Sequence, residues 1–151
     1  MAFARLNGVV IHYETHGPAD GTVIAFANSL GTDLRVWDLV VQRLPADWRL
    51  IRYDKRGHGL SEATSHVSML DEAGDLAALL GHLSVSRCVV VGLSVGGMIA
   101  QQLAAIRPDL VSAMVLSNTG HKIGTQESWN SRIADVREGG IGAIADTILE
   151  R

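Results

Sequence analysis

Residues Val89 to Gly97 read Val-Val-Val-Gly-Leu-Ser-Val-Gly-Gly, an apolar β-branched run that stops at Gly92-Leu93-Ser94-Val95-Gly96 and passes into a helical pattern from Met98. A serine hydroxyl set at such a strand-to-helix turn has the form of a nucleophile elbow, in which the chain bends sharply and holds the serine in a strained conformation at the tip. Glycines two residues before and after Ser94 let strand and helix pass closely where a Cβ would obstruct them. The helix that follows adds a donor: its first free N–H, on Val95, lies at the positive end of the helix dipole, where an acyl oxyanion would form. The alternative is a plain glycine-rich turn of an α/β protein with a small residue at 94. A dinucleotide fingerprint is disfavoured, because Gly-x-Gly-x-x-Gly needs glycine where Ser94 stands.

The elements that must carry this turn follow from periodicity. Residues 2 to 15 alternate around Asn7-Gly8, a dipeptide suited to a type I′ turn, and predict a β-hairpin with its second strand near Val9 to Glu14. Apolar runs at Val23 to Ala27, Leu50 to Tyr53, Cys88 to Val91 and Ala113 to Leu116 predict strands buried on both faces, as in parallel sheets. Between them, Val36 to Leu44, Leu70 to Leu83 and Val95 to Ile106 have helical spacing, the last stopping before Pro108. Strands alternating with helices predict an α/β fold with a mostly parallel, doubly wound sheet entered through an antiparallel hairpin. From Gly120 the chain turns polar, then gives two amphipathic segments separated by Glu138-Gly139-Gly140. These predict a core over residues 1–119 and a cap, or two further layer helices, over 120–151.

Composition bounds the function. The chain has 151 residues, 47% of them hydrophobic, and a net charge of -3, with a pI near 6.0. That is enough apolar material for one domain's core, and scattered basic residues disfavour a nucleic-acid partner. No stretch has the pattern of a signal peptide or approaches the roughly 18 apolar residues of a membrane span, which predicts a cytoplasmic protein without a membrane partner. The lone Cys88 reads as a buried strand residue. No cluster of metal-ligand spacing and no phosphate loop is present, so no cofactor or metal is expected.

Loops at the carboxyl ends of the strands are where chemistry belongs in an open α/β sheet. After Ala27 comes Asn28-Ser29-Leu30-Gly31-Thr32-Asp33; after Tyr53 comes Asp54-Lys55-Arg56-Gly57-His58-Gly59-Leu60-Ser61. Together with Gly92-Leu93-Ser94-Val95-Gly96, the second of these resembles the α/β-hydrolase superfamily in order and spacing. Asn28 to Trp37 and the segment Lys122 to Ile133 further resemble the 3-oxoadipate enol-lactonases of the β-ketoadipate pathway of aromatic catabolism. The resemblance implies an α/β-hydrolase fold with a helical cap, and a serine hydrolase that opens an enol-lactone through an acyl-serine. It implies that Leu30, one position after the Asn28-Ser29 that replaces a common His-Gly, supplies a backbone N–H that completes an oxyanion hole with Val95. A small lactone or ester is the expected partner.

Within the cap, Arg132 is expected to bind a substrate carboxylate, with Trp129 as a wall, or both residues pack the cap. Asp54 and Arg56 are expected to organise their own loop rather than touch substrate. The family's triad runs serine, acid, histidine along the chain, with the last two on loops after later strands. After Ser94 the only histidine is His121, with no acid suitably placed before it, and Asp109 falls at the wrong end of the sheet. His12, His16, His58, His66 and His82 are poor candidates for a base. The expectation is that acid and histidine belong to a missing C-terminal part of the fold, that residues 1–151 alone are inactive, and that the sheet ends at Ala113 to Leu116 in an unpaired apolar edge. Other serine hydrolases (a carboxylesterase, a C–C hydrolase, a haloperoxidase-like protein) and a ligand-binding or signalling protein on the same fold remain alternatives.

Overall fold

The computed structural model describes residues 1–149. The chain divides into two compact units after His121. The first is a six-stranded sheet of β1 (Ala2–Leu6), β2 (Val9–His16), β3 (Val23–Ala27), β4 (Arg49–Tyr53), β5 (Cys88–Leu93) and β6 (Val111–Ser117), in the order β1-β2-β4-β3-β5-β6. β1, β2 and β4 pair antiparallel, whereas β4, β3, β5 and β6 run parallel. The hairpin turns at Asn7 and Gly8, both at positive φ as a type I′ turn requires.

Two helices cover one face. α2 (Met69–His82) opens with a capping box between Ser68 and Asp71, and α3 (Val95–Ile106) leaves the end of β5 directly. Leu76, Leu79, Leu80, Ile99 and Leu103 are fully buried there against Ile11, Ala25, Ile51 and Val90. Burying each such side chain is worth about 2 kcal/mol, so this face supplies most of the hydrophobic stabilisation. On the opposite face Ile24, Phe26 and Leu50 gather under Trp37, whose ring lies 5.1 Å from that of Phe26.

Two expectations need correction. The helical pattern at Val36 to Leu44 forms only a 3₁₀ turn, Leu34–Trp37, followed by the single turn α1 (Asp38–Val41). Asp33 caps the segment early by accepting from the Arg35 N–H, and Pro45 disfavours continuation through Leu44. β6, whose run reads as buried on both faces, is largely exposed: Met114, Val115 and Leu116 keep 39%, 53% and 44% of their surface. It is the terminal strand of the sheet, hydrogen-bonded to β5 on one side, so among the described residues it has the expected unpaired apolar edge.

The second unit contains α4 (Gln126–Gly139) and α5 (Gly142–Leu149). A capping box between Thr125 and Ser128 starts α4, and Gly140 at positive φ ends it. Among the described residues no helix is long and apolar enough to cross a membrane.

Candidate active site

Ser94 sits between β5 and α3 at φ 54 and ψ -117, a region costly for a residue with a side chain. The crowding around it explains the glycines. A Cβ on Gly96 would lie 1.9 Å from the Ala27 carbonyl oxygen, and one on Gly92 would lie 2.5 Å from Gly97 Cα. Gly97 is just as confined, since its Cβ would meet the Thr119 side chain at 2.5 Å. The backbone of the serine is pinned on both sides by the end of β6 and the loop after it. Its N–H donates to the Ser117 carbonyl at 2.9 Å, and its carbonyl accepts from the Thr119 hydroxyl at 2.6 Å. The Ser94 hydroxyl does not cap α3, and among the described residues it has no hydrogen-bond partner. A strained, half-buried serine is thus held with its hydroxyl and the Val95 N–H both without a partner among the described residues.

The loop after β3 is held differently, by side chains. Buried Asn28 donates through its amide to the Thr32 carbonyl. The Ser29 carbonyl accepts from the Thr32 hydroxyl at 3.0 Å and from the Lys55 ammonium at 2.7 Å. The Gly31 N–H donates to His58 Nε2 at 3.0 Å, while His58 Nδ1–H donates to the Arg56 carbonyl at 2.8 Å. Among the described residues the Leu30 N–H between them has no partner.

Residues 54–61 form the platform for that loop. Asp54 is buried and accepts from the Leu34 N–H at 2.7 Å, the Leu60 N–H at 2.9 Å and His12 Nδ1–H at 2.7 Å. Arg56 pairs with buried Asp75 of α2, which also accepts from the Asn7 amide at 2.9 Å. Lys55 is 1% exposed and Glu72 3%, both without an ion pair among the described residues. Burial lowers the Lys55 ammonium to about 8 and raises the Glu72 carboxyl to about 7. Burial likewise lowers His58, in keeping with a neutral ring that accepts at Nε2.

The structure brings no histidine to the Ser94 hydroxyl among the described residues. His12 lies buried against Asp54, His82 contacts the Tyr13 hydroxyl at 3.3 Å, and Asp109 pairs with Arg107 at 2.6 Å. Sequence reasoning missed the His12–Asp54 pair and the roles of Lys55 and Thr119; each joins positions remote in sequence, and no local pattern marks them. In the second unit the Trp129 indole N–H donates to the Ile123 carbonyl at 2.6 Å. The Arg132 guanidinium lies 5.6 Å from the Trp129 ring centroid, a cation–π contact, and has no carboxylate partner among the described residues. Cys88 is buried, as its place in an apolar strand implies.

The α/β-hydrolase fold family model matches residues 22–136. 3-Oxoadipate enol-lactonase 2 of Acinetobacter baylyi is 37% identical over 144 residues, covering 95% of this chain and 54% of that protein. 3-Oxoadipate enol-lactonase 1 of the same organism is 30% identical over 91% of this chain and 52% of its own length. The chain therefore spans about half the length of the curated relatives it matches. Among solved structures, the enol-lactonase from Burkholderia xenovorans superposes with a TM-score of 0.95 at 37% identity, over 99% of this chain and 59% of that one. A thermophilic esterase from Thermogutta terrifontis superposes with a TM-score of 0.89 at 27% identity, over 99% of this chain and 58% of its own.

Proposed function

We propose, from the premise that this chain belongs to the α/β-hydrolase family, that it carries the nucleophile and oxyanion donors of a serine hydrolase that opens 3-oxoadipate enol-lactone. The observation that carries the reading is Ser94 itself, held at φ 54 with its hydroxyl unpartnered among the described residues and Val95 opening the helix beside it. Ser94 Oγ attacks the lactone carbonyl while its proton passes to a general base, a role that no histidine takes at the Ser94 hydroxyl among the described residues. The Leu30 and Val95 amides hold the oxyanion. Collapse of the tetrahedral adduct breaks the ring C–O bond and expels an enolate, which is a good leaving group and stays tethered to the acyl chain. The enolate takes up a proton at carbon to become a ketone, and water then cleaves the acyl-serine to give 3-oxoadipate.

Two relatives named as enol-lactonases support the lactone, and an arginine in the second unit with no carboxylate partner among the described residues supports an anionic substrate. Arg132 binds the substrate's free carboxylate and Trp129 lines its place. The test is Ser94→Ala in the complete protein, assayed on 3-oxoadipate enol-lactone. A fall in kcat of at least about 10³-fold is expected. Multiple turnover at an undiminished rate would overturn the assignment. A stoichiometric burst in the unsubstituted protein without further turnover would instead point to ligand capture.

A further inference from the structure

The peptide unit that joins Ser29 to Leu30 has two ends, and they face different fates. Its carbonyl, on Ser29, accepts from the Lys55 ammonium at 2.7 Å and from Thr32 through both its hydroxyl at 3.0 Å and its N–H at 3.4 Å. Its N–H, on Leu30, has no partner among the described residues. A trans peptide is planar, so fixing the carbonyl direction fixes the N–H in the opposite direction. The next peptide unit, joining Leu30 to Gly31, is held at its other end by His58 through the Gly31 N–H. Both peptide planes that flank Leu30 are therefore tied to one loop, residues 54–61.

We propose that Lys55 and His58 are positioning residues for the Leu30 amide: Lys55 orients and polarises the peptide whose N–H faces the oxyanion, and His58 locks the peptide that follows. The inference rests on the reading of Leu30 as an oxyanion donor and deepens it. Hydrogen bonds in series strengthen one another, and a charged donor on a carbonyl makes the N–H of the same amide a better donor. The burial of Lys55 has a reason on this view. An ammonium that is 1% exposed and forms no ion pair among the described residues is expensive to keep, and an apolar side chain of similar length would fill the space at lower cost. The nearby Glu72 and Asp54 carboxylates favour the charge, and the Ser29 carbonyl accepts its hydrogen bond. Although burial lowers Lys55 to about 8, the protonated form still prevails at pH 7.

A positioning role and a purely structural one differ in what they move. In the complete protein, with p-nitrophenyl acetate as substrate, Lys55→Met is expected to lower kcat by about 10- to 100-fold while KM stays within about twofold. The inhibition constant of an alkyl trifluoromethyl ketone, which adds to the serine as a tetrahedral oxyanion, is expected to rise by the same factor as kcat falls. His58→Leu, which cannot accept from the Gly31 N–H, is expected to lower kcat about tenfold. His58→Gln keeps an acceptor and is expected to restore most of that loss.

Unchanged kcat in Lys55→Met, with turnover abolished in Ser94→Ala, would overturn the positioning role and leave the serine mechanism standing. Full turnover in Ser94→Ala would overturn the mechanism beneath it. Should Lys55→Met fail to fold, the two His58 variants decide: equal kcat in His58→Leu and the unsubstituted protein removes the role, and loss in His58→Leu with recovery in His58→Gln upholds it.

Discussion

The two halves of the candidate site are built on opposite principles. The turn at Ser94 is fixed by exclusion: strand, helix and the end of β3 come so close that any Cβ at Gly92 or Gly96 would overlap backbone atoms. The loop that presents Leu30 is fixed by attraction, through Asn28, Lys55 and His58, with Asp54 ordering the platform beneath. A sterically fixed turn tolerates no change of shape and is indifferent to charge. A loop held by buried polar side chains tolerates small changes of shape and depends on charge and on pH. The comparison makes two kinds of prediction, one for each principle.

The largest effect is expected on the steric side. Gly96→Ala places a methyl 1.9 Å from the Ala27 oxygen, and because that atom is backbone it cannot swing aside. The end of β3 or the start of α3 must move, which is expected to lower stability by about 3 kcal/mol and to displace the Ser94 turn. Gly81→Ala is the counterpart. Gly81 lies in α2 with no atom near its missing Cβ, so alanine is expected to raise stability by about 0.5–1 kcal/mol. Denaturant titration of both variants checks the pair, and equal behaviour would break the steric account.

This contrast also explains what was legible in the sequence. Exclusion leaves a local signature at the elbow Gly92-Leu93-Ser94-Val95-Gly96, because only glycine fits there; the Asn7-Gly8 hairpin, set by positive φ, and the helices α2 and α3, set by apolar spacing, are likewise read from neighbouring residues. Attraction between distant residues leaves none. Lys55 reaches a carbonyl 26 positions earlier, and His12 meets Asp54 across 42 positions. In each case the partner is set by the strand order β2-β4-β3, which no local pattern reports. The misread strand β6 fails for a related reason. An apolar run records the surroundings a strand is suited to, not whether a covering layer is present, and Val115 remains 53% exposed.

An intermediate effect is expected in the second unit, on the proposal that Arg132 binds the substrate carboxylate. Arg132→Ala in the complete protein is expected to raise KM for 3-oxoadipate enol-lactone about tenfold, with little change in kcat or in the hydrolysis of a neutral ester. The pairing with Trp129 at 5.6 Å leaves the alternative that Arg132 only packs α4. Equal effects on the acidic lactone and the neutral ester would assign it to packing.

The smallest effect tests whether the attractive half carries the pH dependence. Glu72 is 3% exposed on α2, and burial raises its carboxyl from 4.5 to about 7, with the nearby Lys55 charge opposing that rise. Between pH 4.5 and 7 the native state therefore holds a proton that the unfolded chain has already released. By linkage, stability falls as pH climbs through this window, and the contribution of the protonated carboxyl is complete below 4.5 and gone above 7. Glu72→Gln has no proton to lose at this position and is expected to flatten the profile. Its Tm should match that of the unsubstituted protein near pH 4.5 and exceed it by roughly 3–6 °C at pH 7.5. The excess is smaller than desolvation alone would give, because at pH 7.5 the ionised carboxylate also offsets the cost of the buried Lys55 ammonium, and glutamine forfeits that attraction. Gly81→Ala, a change that adds no charge and leaves Glu72 and Lys55 untouched, should shift Tm by a constant amount across the same range. A constant offset for Glu72→Gln as well would mean that the buried charges beneath the Leu30 loop are compensated, and that the two halves of the site do not differ in how they respond to pH.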